Sequence, residues 1–307
     1  MRLRIDTDRG CERCSHRSLF AEIEHHKERE HDARLVMLSI QTYTPSALAP
    51  FIKSFWCLKV PESLEQPYVE EILPDGHHEI IFHVNTSPIR KRSDTDTWHK
   101  DPPVFFAGQN KKSYQQKLQP GAMMYAIRFQ PHTQSLLYNF PAVLSTNNLI
   151  ELSDVSANDI LPSCIDESPE RTFANLEKEL LKKVSRLEHP SNTFLYVDAA
   201  VRRIIQHHGQ VKMKQLEKIT GVSERHLEKS FQHFVGLSPK HFCNIIRYGH
   251  VVTYKKNHPE KTLTECAHAA GFHDQSHLIY LSRLITGQSP KGYFNKLNHI
   301  NNFFLQD

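Results

Sequence analysis

The feature that most constrains this chain is an internal repeat near its C-terminal end. Residues Met213 to Phe242 read MKQLEKITGVSERHLEKSFQHFVGLSPKHF, and Leu263 to Phe294 read LTECAHAAGFHDQSHLIYLSRLITGQSPKGYF. The turn glycines Gly221 and Gly271 lie 50 residues apart, and the G-x-S-P tails at Gly236 and Gly287 lie 51 apart. One supersecondary unit recurring at this spacing marks a region built by duplication. In copy one, Met213, Leu216 and Ile219 recur at helical spacing. Gly221 can take the left-handed conformation that ends a helix, and Ser223 is placed to cap the next one. Leu227, Phe231 and Phe234 then give a second apolar stripe. In copy two, Leu263, Cys266, Ala267 and Ala270 give the first helix, and Gly271 and Phe272 the turn. The small residues Ala267, Ala269 and Ala270 let two helices pack closely.

Two short helices joined by a glycine turn fit the motif that lays its second helix in the DNA major groove. The blocks GVSERHLEKSF, GLSPKHF, AGFHDQSHL and GQSPKGYF, in this order and spacing, resemble the AraC-type transcriptional regulators over roughly the last hundred residues. A lone helix-turn-helix match is weak, whereas a paired one is specific. The bridge between the copies, KHFCNIIRYGHVVTYKKN, repeats Phe242, Ile245, Ile246, Gly249 and Val252 at helical spacing. A rigid bridge would fix the separation of the two recognition helices, which is about 34 Å if they enter successive major grooves on one face of B-DNA.

Charge is distributed as that reading requires. The net of +4 decides little, but from Pro190 to Asp307 there are 15 Lys or Arg against 8 Asp or Glu, and before Pro190 there are 23 against 26. A basic C-terminal third on an acidic remainder is the footprint of a DNA-binding module joined to something else. The 307 residues allow two ordinary domains, and 39% hydrophobic content can fill their cores. No apolar run approaches the ~18 residues of a transmembrane helix, and MRLRIDTDRG lacks the apolar stretch of a signal peptide. The six cysteines at 11, 14, 57, 164, 243 and 266 are scattered, which suits a reducing cytoplasm better than a disulfide framework.

In chain order, residues 1–36 are polar and charged and are expected to be a disordered or loosely helical extension. Met37 opens the first patterned stretch and is a candidate start of translation. Cys11, Cys14, His16, His25 and His31 can be drawn as a zinc site, but no second ligand pair has structural spacing, and no metal or cofactor is expected. Leu48, Phe51 and Ile52 sit at helical spacing, followed by the strand-like run Phe55, Trp56, Leu58 and Val60. VEEILPDGHHEIIFHV places a turn at Pro74-Asp75-Gly76 before a buried strand from Glu79 to Val84. Arg90 to Asp101 reads as a polar loop. PVFFAG and YQQKLQPGAMMYAIRF give further strands around a turn at Pro120-Gly121, and a helix-prone stretch begins at Thr133. The helix from about Pro169 to Leu187 has an apolar face of Phe173, Leu176, Leu180, Leu181 and Val184, slightly favoured as a contact with a second copy of the chain. HPSNT is the linker, and Phe194 to Gln206 forms a helix closed by Gly209. The fold class expected is α+β. A small β-rich, barrel-like regulatory or dimerisation domain spans 37–189 and ends in a helix. An all-α double helix-turn-helix domain spans 190–307.

The first half also resembles a known pattern. LPDGHHEIIF, FFAGQ and the PG turn before AIRFQP look like the N-terminal domain that a subset of the AraC family carries, which implies a sensor or dimerisation domain without naming its ligand. His77, His78 and His83, near Asp75 and Glu79, invite a metal reading. On a strand, however, His83 shares a face with Glu79 and Ile81, while Ile80 and Phe82 lie opposite. His77 and His78 straddle the turn exit, so a structural role is favoured. No nucleophile–base pairing or phosphate loop stands out, so no catalytic residue is assigned.

The candidate DNA-binding residues lie on the second helix of each copy. In copy one they are Ser223, Arg225, His226, Glu228, Lys229 and Gln232, with Leu227 and Phe231 turned inward. Arg225 suits bidentate pairing with guanine and Glu228 a cytosine amine. Lys229 suits a base or a phosphate. The family resemblance places base contacts on Arg225, Glu228 and Lys229. In copy two the candidates are Gln275, Ser276, Ile279 and Tyr280, beside Asp274, with Gln275 the best base reader. Copy two departs from the family pattern: Tyr280 stands where a basic residue is usual. Ser282 stands where a core Phe is usual, and the internal repeat agrees, since Phe231 falls on Ser282 at offset 51. An unfilled ring-sized space there would cost about 3–5 kcal/mol, unless Leu281 and Leu284 or Ile285 shift into it. Copy one is therefore expected to carry most of the specificity. The function expected is a sequence-specific transcription regulator, activator or repressor, that binds double-stranded DNA. RNA polymerase, a small-molecule effector and a homodimer partner are the further partners considered. The competing readings are a DNA-bridging architectural protein and a cysteine-based alkyltransferase regulator using Cys11 or Cys14.

Overall fold

A computed structural model of the chain describes residues 17–21, 38–92, 97–295 and 299–305. The strands are β1 (Arg17–Ala21), β2 (Leu38–Tyr43), β3 (Ile52–Lys59), β4 (Tyr68–Ile72), β5 (Glu79–His83), β6 (Ile89–Arg92), β7 (His99–Lys100), β8 (Val104–Ala107), β9 (Tyr114–Leu118), β10 (Met123–Phe129) and β11 (Leu149–Glu151). They form two antiparallel sheets, ordered β1-β2-β3-β10-β5-β8-β11 and β4-β9-β6-β7. The sheets pack face to face because the strands of the larger sheet are apolar on both sides. In β3, Trp56 and Leu58 face the smaller sheet's Tyr68 and Leu118, while Phe55 and Cys57 face away from it. In β5, Ile81 lies between the sheets and Ile80 and Phe82 on the outer face, the alternation expected of a strand.

The outer face is covered by helices α1 (Gln134–Tyr138), α2 (Leu152–Val155) and α3 (Pro169–Val184). Ser168 caps α3 by accepting from Arg171 N, and Pro169 occupies its first turn. Phe173, Leu176 and Leu180 of α3 are buried against the large sheet. Most of the apolar face of α3, favoured above as a contact with a second copy, is therefore spent on its own domain, with Leu181 left exposed.

Other expectations change as well. Leu48, Phe51 and Ile52 do not make a helix: a short 3-10 turn, Ser46–Leu48, leads into β3. The reason is that the run after Ile52 is buried on both faces, which a strand satisfies and an amphipathic helix does not. The polar loop expected from Arg90 to Asp101 supplies β6 and β7. Its end residues form a buried pair, with Arg90 Nε and Nη2 donating to Asp101 at 2.8 and 3.0 Å. Two charges that neutralise each other can enter a core that neither could enter alone. Within the extension expected to be disordered or loosely helical, residues 17–21 form β1, paired with β2. The candidate zinc ligands Cys11, Cys14, His16, His25 and His31, and Met37, lie outside the described residues. Among the described residues no cluster could hold a metal ion, and Cys57, Cys164, Cys243 and Cys266 are buried free thiols.

The C-terminal half is helical: α4 (Asn192–Gln206), α5 (Met213–Thr220), α6 (Glu224–Phe234), α7 (Pro239–Asn257), α8 (Leu263–Ala269), α9 (Gln275–Thr286) and α10 (Pro290–Phe294). It has two cores joined by the bridging helix α7. Phe242, Cys243 and Ile245 enter the core of copy one, and Tyr248, Val251 and Val252 that of copy two. The repeat extends further back than the two motifs. At offset 51 the buried Phe194, Val197, Ala200 and Val201 of α4 fall on the buried Ile245, Tyr248, Val251 and Val252 of α7. Each unit is therefore three helices, and α7 is both the end of one core and the start of the next. The last helix, α11 (His299–Phe304), leaves this half: Ile300, Phe303 and Phe304 pack between the two sheets. The expected assignment of all of 190–307 to the helical domain does not hold for this segment.

Candidate nucleic-acid interface

The two motifs are built by the same local chemistry. In copy one, Gly221 is left-handed (φ 71°) and closes α5, its N–H donating to Glu217 O. Ser223 then caps α6 by accepting from His226 N, and Glu217 reaches across the turn to accept from Glu224 N at 2.7 Å. In copy two, Thr262 and Glu265 form a capping box on α8. Lys261 and Thr262 together hold the exposed Glu265 carboxyl down to about 2. Asp274 caps α9, accepting from His277 N at 3.0 Å, and that bond holds its carboxyl below the usual range.

The exposed side of α6 carries Arg225, His226, Glu228, Lys229 and Gln232, with Ser223 exposed just before it, while Leu227, Ser230, Phe231 and Phe234 are buried. All six copy-one candidates thus share one solvent-facing surface, although the Ser223 hydroxyl is already engaged as the cap. Copy two differs. Ser276 and Tyr280 are exposed, but Gln275 and Ile279 are only half-exposed. The Gln275 carbonyl oxygen accepts from Thr264 at 3.1 Å, so its amide NH2 is the group left to face a base. Ile219, expected in the core of α5, is instead 45% exposed, because α5 is only two turns long and Leu216 and Thr220 take its buried face.

Ser282 resolves differently from the expected shift of Leu281 and Leu284 or Ile285. The space its missing ring would fill is taken from the neighbouring helix. Val197 and Phe231 in copy one correspond to Tyr248 and Ser282 in copy two, so a small–large pair has become a large–small pair. Tyr248 and Ser282 are both buried, their hydroxyls 3.1 Å apart, and Ser282 donates to Gln288 O at 2.9 Å. The Tyr248 ring stands in for the missing one, and the two hydroxyls satisfy each other.

One positioning residue escaped the sequence reading. Arg247 on α7 donates from Nε to Ala270 O (2.8 Å) and from Nη2 to Gly271 O (2.7 Å), and its guanidinium lies 4.3 Å from the centre of the Phe272 ring. It thereby ties the bridging helix to the turn of copy two. Nothing local announces this: the partners are backbone carbonyls more than twenty residues away, and only the odd placement of an arginine in an apolar bridge hints at it.

The sheet domain grips the ends of both α6 and α9. The turn at Gly76 (φ 87°) sits against α7, where an added Cβ would meet the Phe242 ring at 2.9 Å. After α6, His78 Nε2 bonds Val235 O at 3.1 Å and Thr146 donates to Gly236 O at 2.7 Å. At the end of α9, Ser113 N donates to Ile285 O (2.8 Å), and Gln288 Nε2 donates to Glu71 (2.7 Å). Both G-x-S-P tails are therefore docked on the sheets. His77 bonds Phe129 O and the His83 ring lies tilted beside Phe105, so the three histidines go to three different places.

Residues 216–296 match a family described as a helix-turn-helix domain, and residues 41–151 match a domain of unknown function, DUF6597. Uncharacterized HTH-type transcriptional regulators of Staphylococcus aureus are 25% identical over 210 residues, which is 61% of this chain and 27% of the relative. The chain thus spans about a quarter of the length of these curated relatives. Among solved structures, apo ToxT of Vibrio cholerae aligns over 88% of this chain and all of its own, with a TM-score of 0.42 and 11% identity. The AraC-like transcriptional activator CuxR covers 64% of this chain and 74% of its own, with a TM-score of 0.29 and 13% identity. With two capped helix pairs on one bridging helix and a family match across both, the chain carries an AraC-type helix-turn-helix DNA-binding domain at its C-terminal end.

Proposed function

We propose that the chain is a sequence-specific regulator of transcription that binds double-stranded DNA through α6 and α9, and that its sheet domain sets how those two helices are presented. The observation that carries this reading is the pair of solvent-facing recognition helices held on one bridge, with the loop after each docked on the sheets. A ligand or partner that alters the sheet domain then has a direct route to both helices. Arg225 and Lys229 are assigned to base edge and phosphate, and Glu228, His226 and Gln232 to the same contact surface. In copy two, Ser276 and Tyr280 are assigned to phosphate and sugar contacts, and Gln275 to a base edge. Ile279, half-buried, supports that surface with an apolar contact. A cytoplasmic location fits a protein that must reach DNA. Among the described residues no helix is long and apolar enough to cross a membrane.

The alkyltransferase alternative rests on Cys11 and Cys14, which lie outside the described residues; the described cysteines add no reactive thiol to it. Burial pushes the Cys57 and Cys243 thiols up to about 12, so neither is a thiolate at neutral pH. The architectural alternative is separated by salt and sequence. A site-specific regulator should bind its selected site about a thousandfold or more tighter than random duplex at physiological salt, read by competition titration of a labelled duplex. Equal affinity for both duplexes would instead make the protein a sequence-independent DNA binder.

A further inference from the structure

We propose that the mouth of the sheet sandwich at Glu70, Trp56 and Arg128 is a binding site for a small aromatic amine, and that the chain's own C-terminal segment, 299–305, occupies it in this structure. The proposal extends the effector reading of the sheet domain. Its test contains no DNA, so its failure leaves the DNA-binding reading standing.

Glu70 is a carboxylate with 3% exposure on the inner face of β4. A buried carboxylate is tolerated only when donors saturate it. Tyr68 donates to it from within the same strand at 2.6 Å. Three further donors come from α11: the Ile300 N–H at 3.0 Å, the Asn301 N–H at 3.0 Å and the Asn301 side-chain amide at 3.3 Å. Asn301 is itself 4% exposed and accepts from Leu73 N at 2.8 Å. Next to this polar anchor the segment presents an aromatic face. The Phe304 ring centre lies 5.3 Å from that of Trp56 and 4.8 Å from the Arg128 guanidinium. The segment thus offers several N–H donors to one carboxylate and, beside them, an aromatic ring to an indole and a cation.

An ammonium group joined to a benzene ring by a short linker offers the same two features in one molecule. Acidic ligands are disfavoured: Arg128 is already committed to Asp75 at 2.6 Å and Glu79 at 2.9 Å, and Glu70 would repel a carboxylate. The far end of the segment is bonded to the DNA-binding half, where Thr253 of α7 donates to Leu305 O at 2.6 Å. Displacing the segment therefore removes a contact between the sheets and the helix that carries both motifs.

The test uses phenethylamine as probe and 3-phenylpropionate as its acidic counterpart. In the unmodified full chain, hydrogen exchange at the Ile300 and Asn301 amides should speed up about tenfold or more as phenethylamine saturates the site, and should not respond to 3-phenylpropionate. In a Trp98→Phe background, so that Trp56 is the reporter, Asn301→Ala with Phe304→Ala should weaken the resident segment. Phenethylamine should then bind at about tenfold lower concentration than in the parent, because less of the protein is in the blocked state. Adding Glu70→Gln should abolish the response. Unchanged exchange at millimolar phenethylamine overturns the proposal, as does an equal effect of 3-phenylpropionate. Because the exchange measurement needs no substitution, it decides even if a variant does not fold.

Discussion

Arg225 and Lys229 lie one helical turn apart on the exposed side of α6, and the two should fail differently when removed. Arg225→Ala should relax discrimination at one base pair by about 1–3 kcal/mol, read by competition among the four variants at each position of a bound site. Lys229→Ala should weaken binding to all sequences alike and lower the log–log salt slope by about one unit. The Tyr248–Ser282 pair permits a packing test. Ser282→Phe, which restores the repeat, should destabilise by about 1–3 kcal/mol because Tyr248 already fills the space. Tyr248→Val should cost roughly 3–5 kcal/mol as a cavity, and the double substitution should recover much of both losses in a denaturant-unfolding cycle. The face of α6 was legible in the sequence because period 3.6 and a 51-residue offset each mark it. The Tyr248 solution was not, since it needs two helices to be seen as counterparts at the same offset. Arg247 was not legible for the same reason, as its contacts exist only once the turn of copy two is folded against α7.

At the scale of elements, the interface between sheets and helices is where substitutions should couple the two halves. Gly76→Ala faces both a left-handed backbone and the Phe242 ring, and should destabilise by more than about 1 kcal/mol, most visibly in the docking of α7. His78 adds a pH dependence. Burial pushes its imidazole down to about 4, an effect that its bond to Val235 O offsets in part, with Asp75 also raising it and His132 lowering it. An unfolded histidine titrates near 6.5. Between about 6.5 and about 4 the unfolded chain binds the proton and the folded chain does not, so the stability owed to His78 is complete above that window and falls as pH drops through it. His77 and His83 are shifted the same way by burial. Urea unfolding at pH 7 and pH 5 should therefore show lower stability at pH 5, and His78→Gln should reduce the difference by up to about 1.4 kcal/mol per pH unit. An unchanged difference would remove His78 from the linkage. The strands around the Pro74-Asp75-Gly76 and Pro120-Gly121 turns were legible because turn residues bracket apolar runs. β6 and β7 were not, because Arg90 and Asp101 look like loop residues until they are paired across ten intervening positions.

On the scale of the whole molecule, the chain is two halves that share more than a linker. α7 serves both helical cores, both G-x-S-P tails rest on the sheets, and the last described segment returns to fill the sheet mouth. The charge asymmetry and the paired motifs forecast the division of labour. They were silent on the docking, which depends on single hydrogen bonds between residues as far apart as Glu71 and Gln288. If this docking sets the presentation of α6 and α9, one chain should read two neighbouring stretches of DNA unequally, with copy one dominant. The measurement that tests this most directly is selection of bound sites from a random duplex pool with the full chain at near-physiological salt. Expected is a strong element and a weaker one centred about one helical turn, 10–10.5 base pairs, away, with the strong element lost in Arg225→Ala and the weak one retained. A pool that shows no enriched sequence would contradict sequence-specific recognition by this chain.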